Sequence, residues 1–212
     1  PMIIIMPDAD SGIRGYANDI SISWNYEDFF FDELMPHVED RFRIKKDKRY
    51  RAISGLSMGG GGTFLYAMHR PDLFSSAAPL SAWLGPQTLD ELEKFLALKE
   101  KIFIEANFDS NLDRVNPLKL VESVTARELN SVRWYIDCGD DDYLYKGNSM
   151  MHIKMRDNKI NHEFRIRDGG HNWAYWRSAL PSVLECLQEG FASKEARKLL
   201  PETTLTQGFS DE

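Results

Sequence analysis

The chain has 212 residues, 42% of them hydrophobic and 28% charged, enough for one globular domain with a sizeable core. A net charge of −7, from 26 basic and 33 acidic residues with the basic ones scattered, argues against a nucleic-acid footprint. No apolar run approaches the roughly 20 residues of a membrane span. "PMIIIM" is too short, and lacks the basic flank, for a signal peptide. The two cysteines, Cys138 and Cys186, make no disulfide framework and read as buried thiols.

Short β-rich runs alternate with longer helical patterns, the signature of a mostly parallel sheet flanked by helices. "MIIIM" (2–6) predicts a fully buried strand, ended by Pro7 and the loop "DADSGIRG". In "NYEDFFFDELMPHVEDRF" (25–42), apolar residues at 30, 34, 38 and 42 mark a helical face that Pro36 should bend or break. "RYRAISG" is the second expected strand and "MGGGGTFLYAMHR" a helix halted before Pro71. "SSAAPLSAW" follows as a third strand. Residues 86–130 are more polar and irregular, with helical stretches at "TLDELEKFLALKE" and "NPLKLVESVTA". They fall where a cap insertion would cover a site, and "IFIEANFDSN" could line its pocket. "SVRWYIDCG" is a fourth strand, "YLYKGNSMMHIKMRDN" a helix, "HEFRIRDGG" a fifth strand and "WAYWRSALPSVLECLQEGF" the last helix. One domain over 1–192 is expected, with 193–212 a polar tail.

Within this frame, "GLSMG" (55–59) places a serine between a strand and a helix. The bare G-x-S-x-G match is weak, and a glycine-softened turn with an ordinary serine is its bland alternative. The context is that of a nucleophile elbow, where a strained turn lifts Oγ above the sheet at a helix N-terminus. Glycines at minus and plus two should let the two arms of the turn pass closely. A P-loop is excluded, because no Gly-Lys-Ser/Thr follows.

A serine at neutral pH needs a base, and the base an orienting acid. Of the five histidines, His37, His69, His152 and His162 fall in helical, capping or strand-start positions. His171 lies in the loop after the fifth strand, at the sheet end where α/β proteins place their chemistry. For the acid, "CGDDDYL" follows the fourth strand. Three adjacent carboxylates repel one another when buried, so at most one should point inward, Asp142 or a neighbour. The order Ser57, Asp142, His171 is that of the α/β-hydrolases rather than of chymotrypsin or subtilisin. Acyl transfer follows as the chemistry.

Together, "YEDFFFDELMPHVEDRF", "RAISGLSMGGGGTFLYAMHRPDLF", "DCGDDDYL" and "GGHNWAYWR" make the chain resemble the esterase D-like family of α/β-hydrolases from about residue 3 to 190. That family holds feruloyl and acetyl xylan esterases, S-formylglutathione hydrolases and mycolyl transferases, and the similarity is greatest to the bacterial feruloyl and acyl-xylan esterases. The resemblance implies an α/β-hydrolase fold, with Ser57 as nucleophile and His171 as general base. The pattern Gly-x-x-Asp from Gly139 implies Asp142 as acid, with Asp140 and Asp141 as fallbacks, and the Met58 N–H as one oxyanion donor. It departs from the family in lacking the strands and His-Gly-type loop that precede "IIIMPDADSG" and supply the second donor. The missing strand would leave a gap of about 10 Å, two interstrand spacings. The expectation is therefore a fragment of a longer chain, or another segment or subunit in the slot.

Trp83, just after the third strand, and Trp173, just after the base, are the candidate substrate-binding rings for an aryl acid or sugar face. Trp176 and Trp134 are equally readable as core. The function expected is serine ester hydrolysis on feruloyl or acetyl esters of plant polysaccharide, with no cofactor, no metal and neither nucleic acid nor membrane as partner. The rivals are a thioesterase or acyltransferase of the S-formylglutathione type and a silent binding protein, which would need no triad. A homo-oligomer and a secreted or periplasmic location stay open.

Overall fold

The computed structural model describes residues 2–8, 16–19, 24–85 and 114–192. The expected cap helix at 88–100, the "IFIEANFDSN" pocket segment and the tail at 193–212 lie outside them. In chain order the elements are β1 (Asn18–Asp19), β2 (Trp24–Asn25), α1 (Tyr26–Asp28), a π-helical turn (Phe29–Leu34), α2 (Met35–Arg41), a 3-10 turn (Lys48–Tyr50), β3 (Ala52–Leu56) and α3 (Met58–His69). They continue with β4 (Ser76–Leu80), α4 (Pro117–Ser123), α5 (Ala126–Leu129), β5 (Arg133–Gly139), α6 (Tyr145–Asp157), β6 (His162–Arg167) and α7 (Trp173–Phe191).

Four of the strands form one parallel sheet in the order β3-β4-β5-β6. Parallel neighbours need helical crossovers, and the chain supplies them between successive strands. Side chains alternate across the sheet, so each face builds its own core. Ile53, Ala77, Trp134, Ile136 and Phe164 pack with α3, α4 and α6. Ala52, Leu56, Ala78, Leu80 and Tyr135 pack under α7 through Tyr175, Trp176, Ala179, Val183 and Leu187. Trp134 is core, stacked on Phe64 with its Nε1–H donated to the Leu129 carbonyl at 2.9 Å. Both cysteines are buried free thiols. Among the described residues, no helix is long and apolar enough to cross a membrane.

Two expectations change. Residues 2–6 form no strand, and all five apolar side chains are exposed, from 41% at Ile5 to 86% at Met6. β-propensity becomes a strand only when a neighbour lies within hydrogen-bonding distance, and the described sheet ends at β3 with no strand beside it. The helix expected over 25–42 is helical from Tyr26 to Arg41 but changes pitch. Before Pro36, the Met35 N–H bonds back to the Phe30 carbonyl, a π-type turn. A proline in the second position of α2 lacks its own N–H and crowds the preceding turn, and a wider turn relieves both.

Candidate active site

Ser57 occupies the joint between β3 and α3 with φ 55° and ψ −117°, a left-handed conformation that non-glycine residues rarely adopt. Its N–H donates to the Leu80 carbonyl at 3.0 Å, and its carbonyl accepts from the Trp83 N–H at 2.9 Å. The turn is thus bolted to the end of β4. A side chain on Gly55 would put Cβ 2.4 Å from the Gly59 carbonyl oxygen, so the minus-two position has to be glycine. Gly59 is different: among the described residues, a Cβ there would meet the Tyr16 hydroxyl alone, at 3.6 Å. Among the described residues the steric demand is one-sided, contrary to the symmetric expectation.

His171 Nε2 lies 2.9 Å from Ser57 Oγ, and its Nδ1 lies 3.0 and 2.9 Å from the two Asp142 oxygens. Asp142 is fully buried, and its Oδ1 also accepts the Leu144 N–H at 2.8 Å. A carboxylate only accepts, so Nδ1 carries the hydrogen and Nε2 presents its lone pair to the hydroxyl. The other two acids of "DDD" are exposed. Asp140 Oδ1 accepts the N–H groups of Asp141 and Gly169, each at 3.0 Å, which ties the β5 loop to the β6 loop. The loops approach closely because position 139 is glycine: a Cβ there would fall 1.9 Å from the Gly169 carbonyl oxygen. Met58 opens α3, so its N–H has no acceptor one turn back and stands next to Ser57.

The aromatic candidates separate. Trp83 is half-buried and adjoins Ser57 through its backbone, while Trp173 is exposed at the start of α7. Trp176 is buried and meets the His171 ring edge-to-face at 4.8 Å, its Nε1–H donated to Ser81 Oγ at 3.0 Å. Ser81 is itself a positive-φ residue, and its N–H donates to the Asp137 carbonyl at 2.7 Å. Tyr143, not singled out in the sequence, rests its ring on His171 at 4.6 Å. Its position directly after Asp142 is the signal that would have found it.

The remaining histidines lie elsewhere. His37 is exposed on α2. His69 lies largely buried between Glu27, 2.6 Å from Nδ1, and the Arg114 carbonyl, 2.8 Å from Nε2. His152 and His162 face each other at 2.7 Å. Among the described residues, the group spaced to hold a cation is Asp140, Asp141 and Asp168, all exposed.

A serine hydroxyl, an imidazole and a buried carboxylate in hydrogen-bonded series, at a strained strand-to-helix turn, are the equipment of acyl transfer. The family model "Putative esterase" matches residues 1–186. The chain belongs to that family. This esterase-family chain is 36% identical over 133 residues to an endo-1,4-beta-xylanase/feruloyl esterase of Xylanibacter ruminicola, covering 59% of the chain and 17% of that protein. A solved ferulic acid esterase superposes with TM-score 0.70 at 34% identity, over 84% of this chain and 65% of that one. An S-formylglutathione hydrolase from Agrobacterium tumefaciens has TM-score 0.69 at 20% identity, over 85% of this chain and 64% of that one, a likeness of fold. The chain therefore spans less than two thirds of each of these relatives. Its parallel sheet flanked by helices is the α/β-hydrolase architecture of the family.

Proposed function

We propose that this protein is a serine carboxylic ester hydrolase acting through an acyl-enzyme, with feruloyl or acetyl esters of plant polysaccharide as substrates. The observation that carries the reading is the hydrogen-bonded series from Ser57 Oγ through His171 to buried Asp142, all contacts at 2.9–3.0 Å. Ser57 Oγ attacks the ester carbonyl while His171 Nε2 takes its proton. Asp142 holds the Nδ1–H tautomer and stabilises the imidazolium. The Met58 N–H and the N-terminal end of α3 face the developing oxyanion. His171 then hands the proton to the departing alcohol oxygen. Water, deprotonated by the same nitrogen, next attacks the acyl-serine, and His171 returns that proton to Ser57 Oγ as the free acid departs. The substrate class is supported by the names of the two relatives above 30% identity, a xylanase/feruloyl esterase and a ferulic acid esterase.

A fluorophosphonate probe tests the nucleophile. It should add its phosphonyl mass to the peptide containing Ser57 and to no other. Ser57→Ala should lower turnover of methyl ferulate by about 10⁴-fold or more. Near-normal turnover in that variant, or a label elsewhere, ends the proposal. Rates on methyl ferulate, acetylated xylan and S-formylglutathione test the substrate class, with one of the first two expected to lead.

A further inference from the structure

Proton transfer divides the substrate into two halves. In the reaction proposed above, the imidazolium of His171 must deliver its proton to the leaving oxygen, so the alcohol half of the ester lies on the His171 side. Two large aromatic side chains stand there in solvent. Tyr143 is 71% exposed although its ring rests on the imidazole, centroids 4.6 Å apart and planes inclined at 50°. Trp173 is 62% exposed and meets Trp176 edge-to-face at 5.4 Å, while Trp176 meets His171 at 4.8 Å. Four rings therefore run in series, Tyr143, His171, Trp176 and Trp173, with the outer two open to water. Rings left exposed keep apolar surface in water, so a ligand face that covers them gains from its burial.

Charge around the rings narrows the ligand. The loops that carry Tyr143 and His171 also carry Asp140, Asp141 and Asp168, three exposed carboxylates whose ligand oxygens lie within 4.8 Å of one another. They repel an anionic leaving group and accept hydrogen bonds from hydroxyls. A neutral sugar ring satisfies both conditions: its C–H face covers an aromatic ring, and its hydroxyls donate to carboxylates. Glutathione, a tripeptide thiol with two carboxylates and one ammonium, does not.

We propose that Tyr143 and Trp173 form the subsite for the alcohol half of the ester, and that this alcohol is a neutral sugar. The assignment rests on the catalytic reading of Ser57 and His171, and the test separates the two. Two esters of one acid, methyl ferulate and a feruloylated arabinose, differ only in the alcohol. The ratio of their kcat/KM values therefore isolates the subsite, because damage to His171 lowers both terms alike. Wild type should favour the sugar ester, and should hydrolyse S-formylglutathione with a lower kcat/KM than that ester. Tyr143→Ala and Trp173→Ala should each cut the sugar-to-methyl ratio about three- to tenfold, mainly through KM, and Tyr143→Phe should retain most of it. Titrating the Ser57→Ala protein with arabinoxylan oligomers should quench tryptophan fluorescence, and adding Trp173→Phe should abolish the quench. Equal losses on both esters, a leading rate on S-formylglutathione, or no quench would overturn the subsite. Turnover of both esters by Ser57→Ala would instead overturn the catalytic reading.

Discussion

Ser57 holds a backbone conformation that costs on the order of 1–3 kcal/mol, and it persists because both of its peptide groups are hydrogen-bonded to the end of β4 and the segment after it. Its two partners come from other loops, and the three consecutive acids after β5 show how such a partner is chosen. Asp142 is buried against His171 and the Leu144 N–H, whereas Asp140 and Asp141 remain in solvent. The three should therefore rank sharply in mutagenesis. Asp142→Asn puts an amide opposite Nδ1, disturbs the tautomer and should lower kcat by about 10³- to 10⁴-fold on methyl ferulate. Asp140→Asn and Asp141→Asn should stay within about tenfold of wild type, since neither carboxylate touches the imidazole. Steady-state kinetics on the three variants decide it, and a reversed ranking would move the acid to a neighbour.

At the level of elements, the β3–α3 turn makes unequal demands on its two flanking glycines. Gly55→Ala drives a methyl into the backbone of Gly59, 2.4 Å from its carbonyl oxygen, and neither backbone can yield without opening the turn. A loss of about 1–3 kcal/mol in urea unfolding is expected. Among the described residues, Gly59→Ala meets nothing closer than 3.6 Å, and it lies in the first turn of a helix, where alanine is favoured over glycine by up to about 1 kcal/mol. Its unfolding midpoint should equal or exceed that of wild type. Equal destabilisation by both would show that the symmetric G-x-S-x-G pattern, not local contact, sets the demand. The segment before β3 carries a related lesson: Pro36 does not end its helix but is accommodated by a π-type turn just upstream.

For the whole molecule, the sheet with a core on each face brings the loops after β3, β5 and β6 to one end, and stability elsewhere sets the pH range over which that end stays assembled. α6 and β6 are joined by a histidine pair. His162 Nδ1 donates to the Ile160 carbonyl at 2.8 Å, so its Nε2 accepts from His152 Nδ1–H at 2.7 Å, and His152 also stacks on Phe164. Burial pushes His152 below its ordinary value of 6.5, with the neighbouring His162 and Arg156 adding to the shift. Burial likewise lowers His162, assisted by Arg156 and partly opposed by the Ile160 carbonyl. Depressed imidazoles bind fewer protons folded than unfolded. Above about pH 7 they are neutral in both states and cost nothing; as pH falls through 6.5 toward the folded values, the unfolded state gains protons first and stability drops. Urea unfolding should show lower stability at pH 5.5 than at pH 7.5, and the difference should narrow in His152→Gln. An unchanged difference in that variant would assign the acid sensitivity to other groups.

Much of this architecture is legible in the sequence, because period and punctuation are local properties. The runs that became β3, β4, β5 and β6, the helices α3, α6 and α7, and the G-x-S-x-G turn are all marked by residues within a few positions of one another. Folding had to decide whatever depends on a distant neighbour. "MIIIM" has the composition of a buried strand yet lies exposed, because hydrogen-bonded pairing needs a second strand beside it. Which acid of "DDD" turns inward, which tryptophan supports His171, and the seat of Tyr143 on its ring were settled by the meeting of the β5 and β6 loops at Gly139 and Gly169. Local preference selects the conformation of a segment, but a contact between segments about 30 residues apart exists only once the sheet has set them side by side.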